Sequence, residues 1–412
     1  MIHPWLCYLG IFLAFSVSLG CFSSGLLNAQ DYFYAPLLLL IAFHTIHGMV
    51  TDRQVYERRQ LRQVLPKAVG KYVMWVLVLW GVNSFYGAHP LYNGTHLVYQ
   101  QVDAQYRDIT LHTRHFLSHY LKLVLVGGLP YFFLAEKFRY CRDNVLNDPY
   151  LNVLSLLRAL IRGRFRKIGR RLYKHPYRPM CLMALLRMHY IPIMVEQVYY
   201  GMTNLTKCLD AQTGQSWTLS SGLLVVTILA WAIDSNNGAM GYFWESWFTR
   251  TRFRDMDPYP LHWFVVLICY VPFIHYASQF VPFPSPADGS PTLLPGSGDR
   301  ILEVVLAVLL VLYVLSGSAL TFATSNLCYK KIQTRGPYAV VRHPATSFKL
   351  AFFFLAFFRY RAAWTVVGLL CYLVWMGVYI GRALAEEQYL RHYPDYRAYM
   401  KKTRYRFIPG VC

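Results

Sequence analysis

The chain has 412 residues, 55% of them hydrophobic and 15% charged, with a mean hydropathy of +0.28. Soluble domains carry about a quarter charged residues and no long apolar runs, so the composition excludes an ordinary soluble protein. A formal charge of +21 could suit nucleic acid, but Lys and Arg sit in short links between apolar stretches rather than on a soluble face. No nucleic-acid partner is expected, and anionic membrane lipids are the expected one.

Apolar runs predict an all-α, polytopic integral membrane protein of about ten transmembrane helices: 5–27, 33–50, 72–88, 116–134, 181–200, 217–234, 261–281, 301–323, a shorter Phe-rich helix at 345–358, and 362–384. The opening stretch Met1–Leu27 has no Lys or Arg before its apolar core, so it reads as a retained first helix rather than a signal peptide. With the N-terminus in the cytoplasm, the inside segments 51–71, 135–180, 235–260, 324–348 and the tail from 385 hold 31 Lys and Arg, against 6 in the outside loops. That asymmetry predicts that both termini face the cytoplasm.

Within 135–180, Val153, Leu157, Leu160, Ile161, Ile168 and Leu172 recur at helical spacing, with Arg158, Arg162, Arg166, Lys167, Arg170 and Arg171 on the other face. A single basic helix lying in the interface is expected, more as an anchor than as a gate. Charged or titratable residues inside spans, Lys122, Arg187, His189, Glu196 and Glu303, are costly there and predict partners on neighbouring helices. The nine scattered cysteines lack C-x-x-C spacing and read as small core residues or free thiols, and no metal site is expected. Asn93-Gly94-Thr95 and Asn204-Leu205-Thr206 fit the glycosylation pattern and fall on predicted outside loops. No P-loop, G-x-S-x-G, H-E-x-x-H or strand-borne G-x-G-x-x-G occurs, which excludes a soluble Rossmann-type cofactor domain.

The most informative stretch follows the eighth span. Gly336-Pro337-Tyr338 forces a turn, Arg342-His343-Pro344 opens a short helix, Arg359-Tyr360-Arg361 reverses the chain, and Glu386-Glu387 closes the returning helix. The hairpin therefore predicts that Glu386 and Glu387 return to the level of Arg342 and His343. Free N–H groups at that helix start, with an Arg beside them, suit a carboxylate or phosphate.

In this order, with the tail Tyr396, Tyr399 and Phe407-Ile408-Pro409, these motifs resemble the C-terminal signature of the isoprenylcysteine carboxyl methyltransferase and phospholipid methyltransferase superfamily, over roughly the last 110 residues. The stretch Asp234, Asn236-Asn237-Gly238, Gly241-Tyr242 and Glu245-Ser246 is similar to longer members, and is otherwise a cytoplasmic loop rich in turn residues. The resemblance implies S-adenosyl-L-methionine in a membrane-embedded pocket, with Tyr338, Arg342, His343, Pro344, Glu386 and Glu387 as cofactor residues and Arg342, His343 and Glu245 as catalytic ones. It also implies a lipid or prenylated acceptor. The chain then divides into N-terminal membrane helices with the basic segment, 1–215, and a methyltransferase-like membrane domain, 216–412.

After Arg342-His343-Pro344 the family continues with a residue, a Tyr, a residue and a small Gly or Ala, whereas this chain has Ala345, Thr346, Ser347 and Phe348, then Lys349. A different acceptor pocket or cofactor fit is expected. Two rivals stand beside methyl transfer. Membrane sterol reductases, which use NADPH, share the tail pattern seen here as Tyr405-Arg406-Phe407-Ile408-Pro409, and a transporter or lipid-binding relative would account for the intramembrane charges.

Overall fold

A computed structural model describes residues 3–27, 33–51, 56–58, 60–88, 109–140, 149–243, 253–282 and 291–411, with backbone alone at 48–51, 56–58 and 138–140. Among these residues the fold is fourteen α-helices with two short antiparallel strand pairs. In chain order they are α1 (Pro4–Ser23), α2 (Ala35–Thr51), β1 (Tyr56–Arg58), α3 (Leu61–Ala88), α4 (Ile109–Lys137), β2 (Phe138–Tyr140), α5 (Pro149–Ile161), α6 (Phe165–Leu172), α7 (Tyr177–Gln212) and α8 (Leu219–Phe243). There follow β3 (Asp255–Met256), α9 (Pro260–Leu267), α10 (Phe273–Phe280), α11 (Ser297–Ser318), β4 (Cys328–Tyr329), α12 (Pro344–Phe358), α13 (Val366–Leu390) and α14 (Pro394–Lys402).

Six of the described helices, α1, α3, α4, α8, α11 and α13, are long and apolar enough to cross a membrane, and α2, α5 and α12 are shorter apolar helices. The molecule is thus a helical multi-pass membrane protein. Large apolar side chains point outward from these helices: Trp80, Val126, Val308 and Val366 are all exposed. In water such a surface would aggregate, and in a bilayer it faces lipid. The inner faces form one large core around α2, α3, α4, α7 and α8, including Leu40, Tyr86, Ile109, Leu186, Ile193 and Met202.

Of the intramembrane titratable residues, Glu196, Arg187 and Glu303 find partners on other segments. His112 of α4 lies 2.6 Å from Glu196 of α7, Lys71 of α3 pairs with Glu136 of α4, and Arg187 donates to the Tyr242 carbonyl at 3.2 Å. Arg359, beyond α12, pairs with Asp299 at 2.6 Å and Glu303 at 2.7 Å. Lys122 is exposed on the outer surface of α4.

Several expectations are corrected. The basic interfacial segment is two helices, because Gly163 at φ +64 ends α5 and lets the N–H groups of Gly163 and Arg164 bond back to Leu160 and Ala159. The expected span 261–281 is likewise broken, into α9 and α10, at 268–272, where Pro272 can neither donate nor continue a helix. Asn236-Asn237-Gly238 is no loop, because α8 runs through it to Phe243. Asn236 donates Nδ2 to the Ala232 carbonyl and Asn237 donates Nδ2 to Ser318 on α11, both at 2.8 Å, so these turn formers spend amide N–H groups inside the bundle. Asn204 lies within α7 rather than on a loop, and Asn93–Thr95 falls outside the described residues.

The segment after α11 folds back on α8. Gly241 lies so close to Thr324 that an added Cβ would come within 1.6 Å of the Thr324 carbonyl oxygen, so only glycine permits the approach. The β3–β4 pair, Asp255 with Tyr329 and Met256 with Cys328, ties this segment to the start of α9. Tyr329 stacks on Tyr393 at 3.7 Å and donates to Asp395, while Tyr393 donates to Asp255, both at 2.7 Å, and together these contacts seat α14. Burial, then the bond to Asp395, pushes the Tyr329 phenol above its ordinary value and keeps it a donor.

Candidate functional site

The hairpin predicted near the C-terminus forms as expected. Pro344 takes the first position of α12, α12 ends at Phe358, and α13 begins behind Thr365, whose hydroxyl accepts from the Gly368 N–H at 3.0 Å. The return delivers Glu387, buried to 1% exposure, onto the turn before α12.

There Glu387 gathers four basic side chains. Arg342 donates Nε to Oε1 at 2.6 Å, His343 Nε2 lies 3.2 Å from the same oxygen, and Arg406 and Arg391 approach Oε2 at 3.1 and 3.3 Å. Arg342 also donates Nη1 to the Thr403 and Arg404 carbonyls at 3.0 and 2.7 Å, and the Arg342 and His343 N–H groups bond to the Tyr405 and Arg406 carbonyls. Nearly all of the Arg342 donors are therefore spent within the protein. The cluster is a clamp joining turn, hairpin and tail, and Arg342 is not the free carboxylate receptor that its sequence context suggests.

The remaining site residues divide. Tyr338 is buried with its carbonyl accepting from Tyr399 at 2.7 Å. Glu386, adjacent to the clamp but turned the other way, is exposed and lines a cavity. The Glu386 and Glu387 carboxylates, after burial itself, push the nearby Tyr396 phenol above its ordinary value. Glu245 lies outside the described residues.

The cavity beside the clamp has a volume of about 670 Å³, within the ~300–1,000 Å³ range of small-molecule sites. At one end are Tyr338, Arg342, His343, Glu386 and the first residues of α12, Ala345 and Thr346. At the other, between α8, α11, α12 and α13, are Asp234, Tyr313, Lys349 and Arg382. Tyr313 donates to Asp234 at 2.8 Å, and the broken segment between α9 and α10 contributes Cys269 and Tyr270. Helix α7 contributes Met194, Gln197 and Tyr200 from the N-terminal half.

Sequence reasoning therefore identified the clamp and Glu386 but missed Arg382 and Tyr313, and it read Lys349 as a departure from a pattern and, taken alone, as a positive-inside anchor. Arg382 was concealed because it falls near the end of the expected last span, where a basic residue reads as an anchor. The Tyr313, Phe353 and Tyr379 rings around Lys349 come from three different helices and carry no sequence signature.

Comparison with family models, curated proteins and solved structures gives no match to this chain.

Proposed function

We propose that this chain is a membrane methyltransferase that transfers a methyl group from S-adenosyl-L-methionine to a lipid or prenylated acceptor within the bilayer. The observation that carries the reading is the juxtaposition of the Arg342–His343–Glu387 clamp with Glu386 and Tyr338 at one end of a large cavity that continues between membrane helices. Its residue types suit such a cofactor. Glu386 offers an acceptor for ribose hydroxyls or an ammonium, the Ala345 and Thr346 N–H groups in the first turn of α12 suit a carboxylate, and Tyr338, Tyr396 and Tyr399 offer aromatic faces to an adenine or a sulfonium. When bound, S-adenosyl-L-methionine supplies an electrophilic methyl group.

The protein's own contribution is positioning and exclusion of water, which is most of what an in-line displacement asks. Arg342, His343 and Glu387 act by fixing the start of α12 against the tail, and α7 together with the α9–α10 break walls the acceptor side. The wall from α7 supports the division into a pocket-shaping half, 1–215, and a catalytic half, 216–412. Glu245 is retained as a candidate catalytic residue on sequence grounds.

The test is calorimetric titration of purified protein in detergent with S-adenosyl-L-methionine and with NADPH. Saturable binding of the first alone is expected, with at least a tenfold loss in Glu386→Ala, about 1.4 kcal/mol. Binding of NADPH instead would select the reductase reading. Binding of neither would select a lipid-binding relative, which the charged residues in the membrane part of the cavity favour.

A further inference from the structure

Two cations at the deep end of the cavity have no task in methyl-donor binding. The Lys349 ammonium, on α12, is caged by the rings of Tyr313, Phe353 and Tyr379, 5.4, 5.6 and 5.2 Å from their centres. The Arg382 guanidinium, on α13, lies 5.6 Å from the Tyr270 ring centre and against the Cys269 sulfur. Among the described residues, neither cation forms an ion pair or donates a hydrogen bond to a protein oxygen, and both line the cavity. Asp234 lies within electrostatic reach of both, but its Oδ2 is taken by the Tyr313 hydroxyl.

A cation removed from water needs oxygen acceptors, and ring faces offset only part of that loss. Intramembrane cations in such surroundings mark a substrate path or a counter-ion site. Among the described residues the cluster sets one carboxylate against two cations, one negative charge short of balance.

We propose that Lys349 and Arg382 form a subsite for a singly charged oxyanion, a phosphate ester or a carboxylate, at the head of a lipid. A lipid is favoured over a soluble anion because the pair sits between helices whose outer faces are apolar, and Ile228, Trp231 and Leu350 give the same cavity apolar wall for a chain. Lys349 falls in the run after Pro344 that departs from the methyltransferase pattern, so the subsite is a property of this chain rather than of the resemblance. Naming the lipid as the methyl acceptor rests on the function proposed above, whereas the anion subsite does not.

The full chain in a neutral detergent is titrated with dioctanoyl phosphatidylglycerol, dioctanoylglycerol and inorganic phosphate, following thermal unfolding, since only a ligand that prefers the folded state raises its midpoint. Phosphatidylglycerol is expected to bind at least tenfold more tightly than either of the others. Lys349→Met and Arg382→Met should each weaken it at least tenfold, and Lys349→Arg should retain it. Equal binding of dioctanoylglycerol, or binding that survives both Met substitutions as capture by the basic surface of α6 would, overturns the subsite. Inorganic phosphate binding as tightly as the lipid overturns the lipid assignment. If the Met variants do not fold, the three ligands on the unaltered chain and on Lys349→Arg still decide. Loss of the methyl-transfer reading shows separately, as absence of S-adenosyl-L-methionine binding to the unaltered chain.

Discussion

Glu387 illustrates how one residue's burial fixes its role. Its carboxylate is surrounded by Arg342, His343, Arg391 and Arg406, and removing one partner from a buried charge network leaves the others uncompensated. Glu387→Ala should therefore cost about 3–5 kcal/mol, seen as a large fall in unfolding midpoint in detergent. Arg406→Ala should cost much less, because its side chain is 35% exposed and exposed pairs are worth about 0–1 kcal/mol. Equal losses in the two variants would show that the clamp does not depend on Glu387. Neighbouring Glu386 behaves oppositely: its replacement should spare stability and reduce ligand binding. The sequence presented these as an indistinguishable pair, since which of two consecutive helical residues faces inward is set by the rotation of α13 against the tail.

At the scale of elements, the decisive contact is α8 against the segment that follows α11. A Gly241→Ala methyl would overlap the Thr324 backbone, where no flexible side chain can yield. Overpacking of this kind costs about 1–3 kcal/mol or more, so a lowered unfolding midpoint and a distorted cavity wall are expected. Gly222→Ala, on the same helix with open space around its added methyl, should be neutral or stabilising by up to about 1 kcal/mol through helix propensity. The pair of midpoints, measured side by side, checks the assignment. Elements were legible where a local signal marks their ends, as with Pro344 and the Arg359 reversal. They were misread where a long-range partner accepts from a turn former's amide N–H, as Ser318 does from Asn237. The reading also failed where a proline breaks an apolar run that hydropathy treats as continuous, as Pro272 does.

At the scale of the whole molecule, contacts join segments assigned to the same side of the bilayer. β1 pairs with β2 and β3 with β4, all in segments expected inside, while Thr292 bridges to Tyr360, both expected outside. The charge asymmetry then predicts the orientation. In sealed, right-side-out vesicles, an impermeant maleimide should label Gln215→Cys above the background of the unaltered chain and should leave Lys402→Cys unlabelled until the vesicles are opened. Labelling of Lys402→Cys in intact vesicles would reverse the orientation.

The sequence by itself determined the membrane class, the helical content, the C-terminal hairpin and the meeting of Arg342 with Glu387, because hydropathy, proline position and helix return are local and additive along the chain. Only the tertiary structure decided that Arg342 is spent on the tail, that Glu386 rather than Glu387 faces the cavity, and that Lys349 and Arg382 converge with Asp234 between four helices. Those outcomes depend on how helices rotate and cross, and rotation is fixed by packing between residues far apart in sequence, which no local pattern encodes.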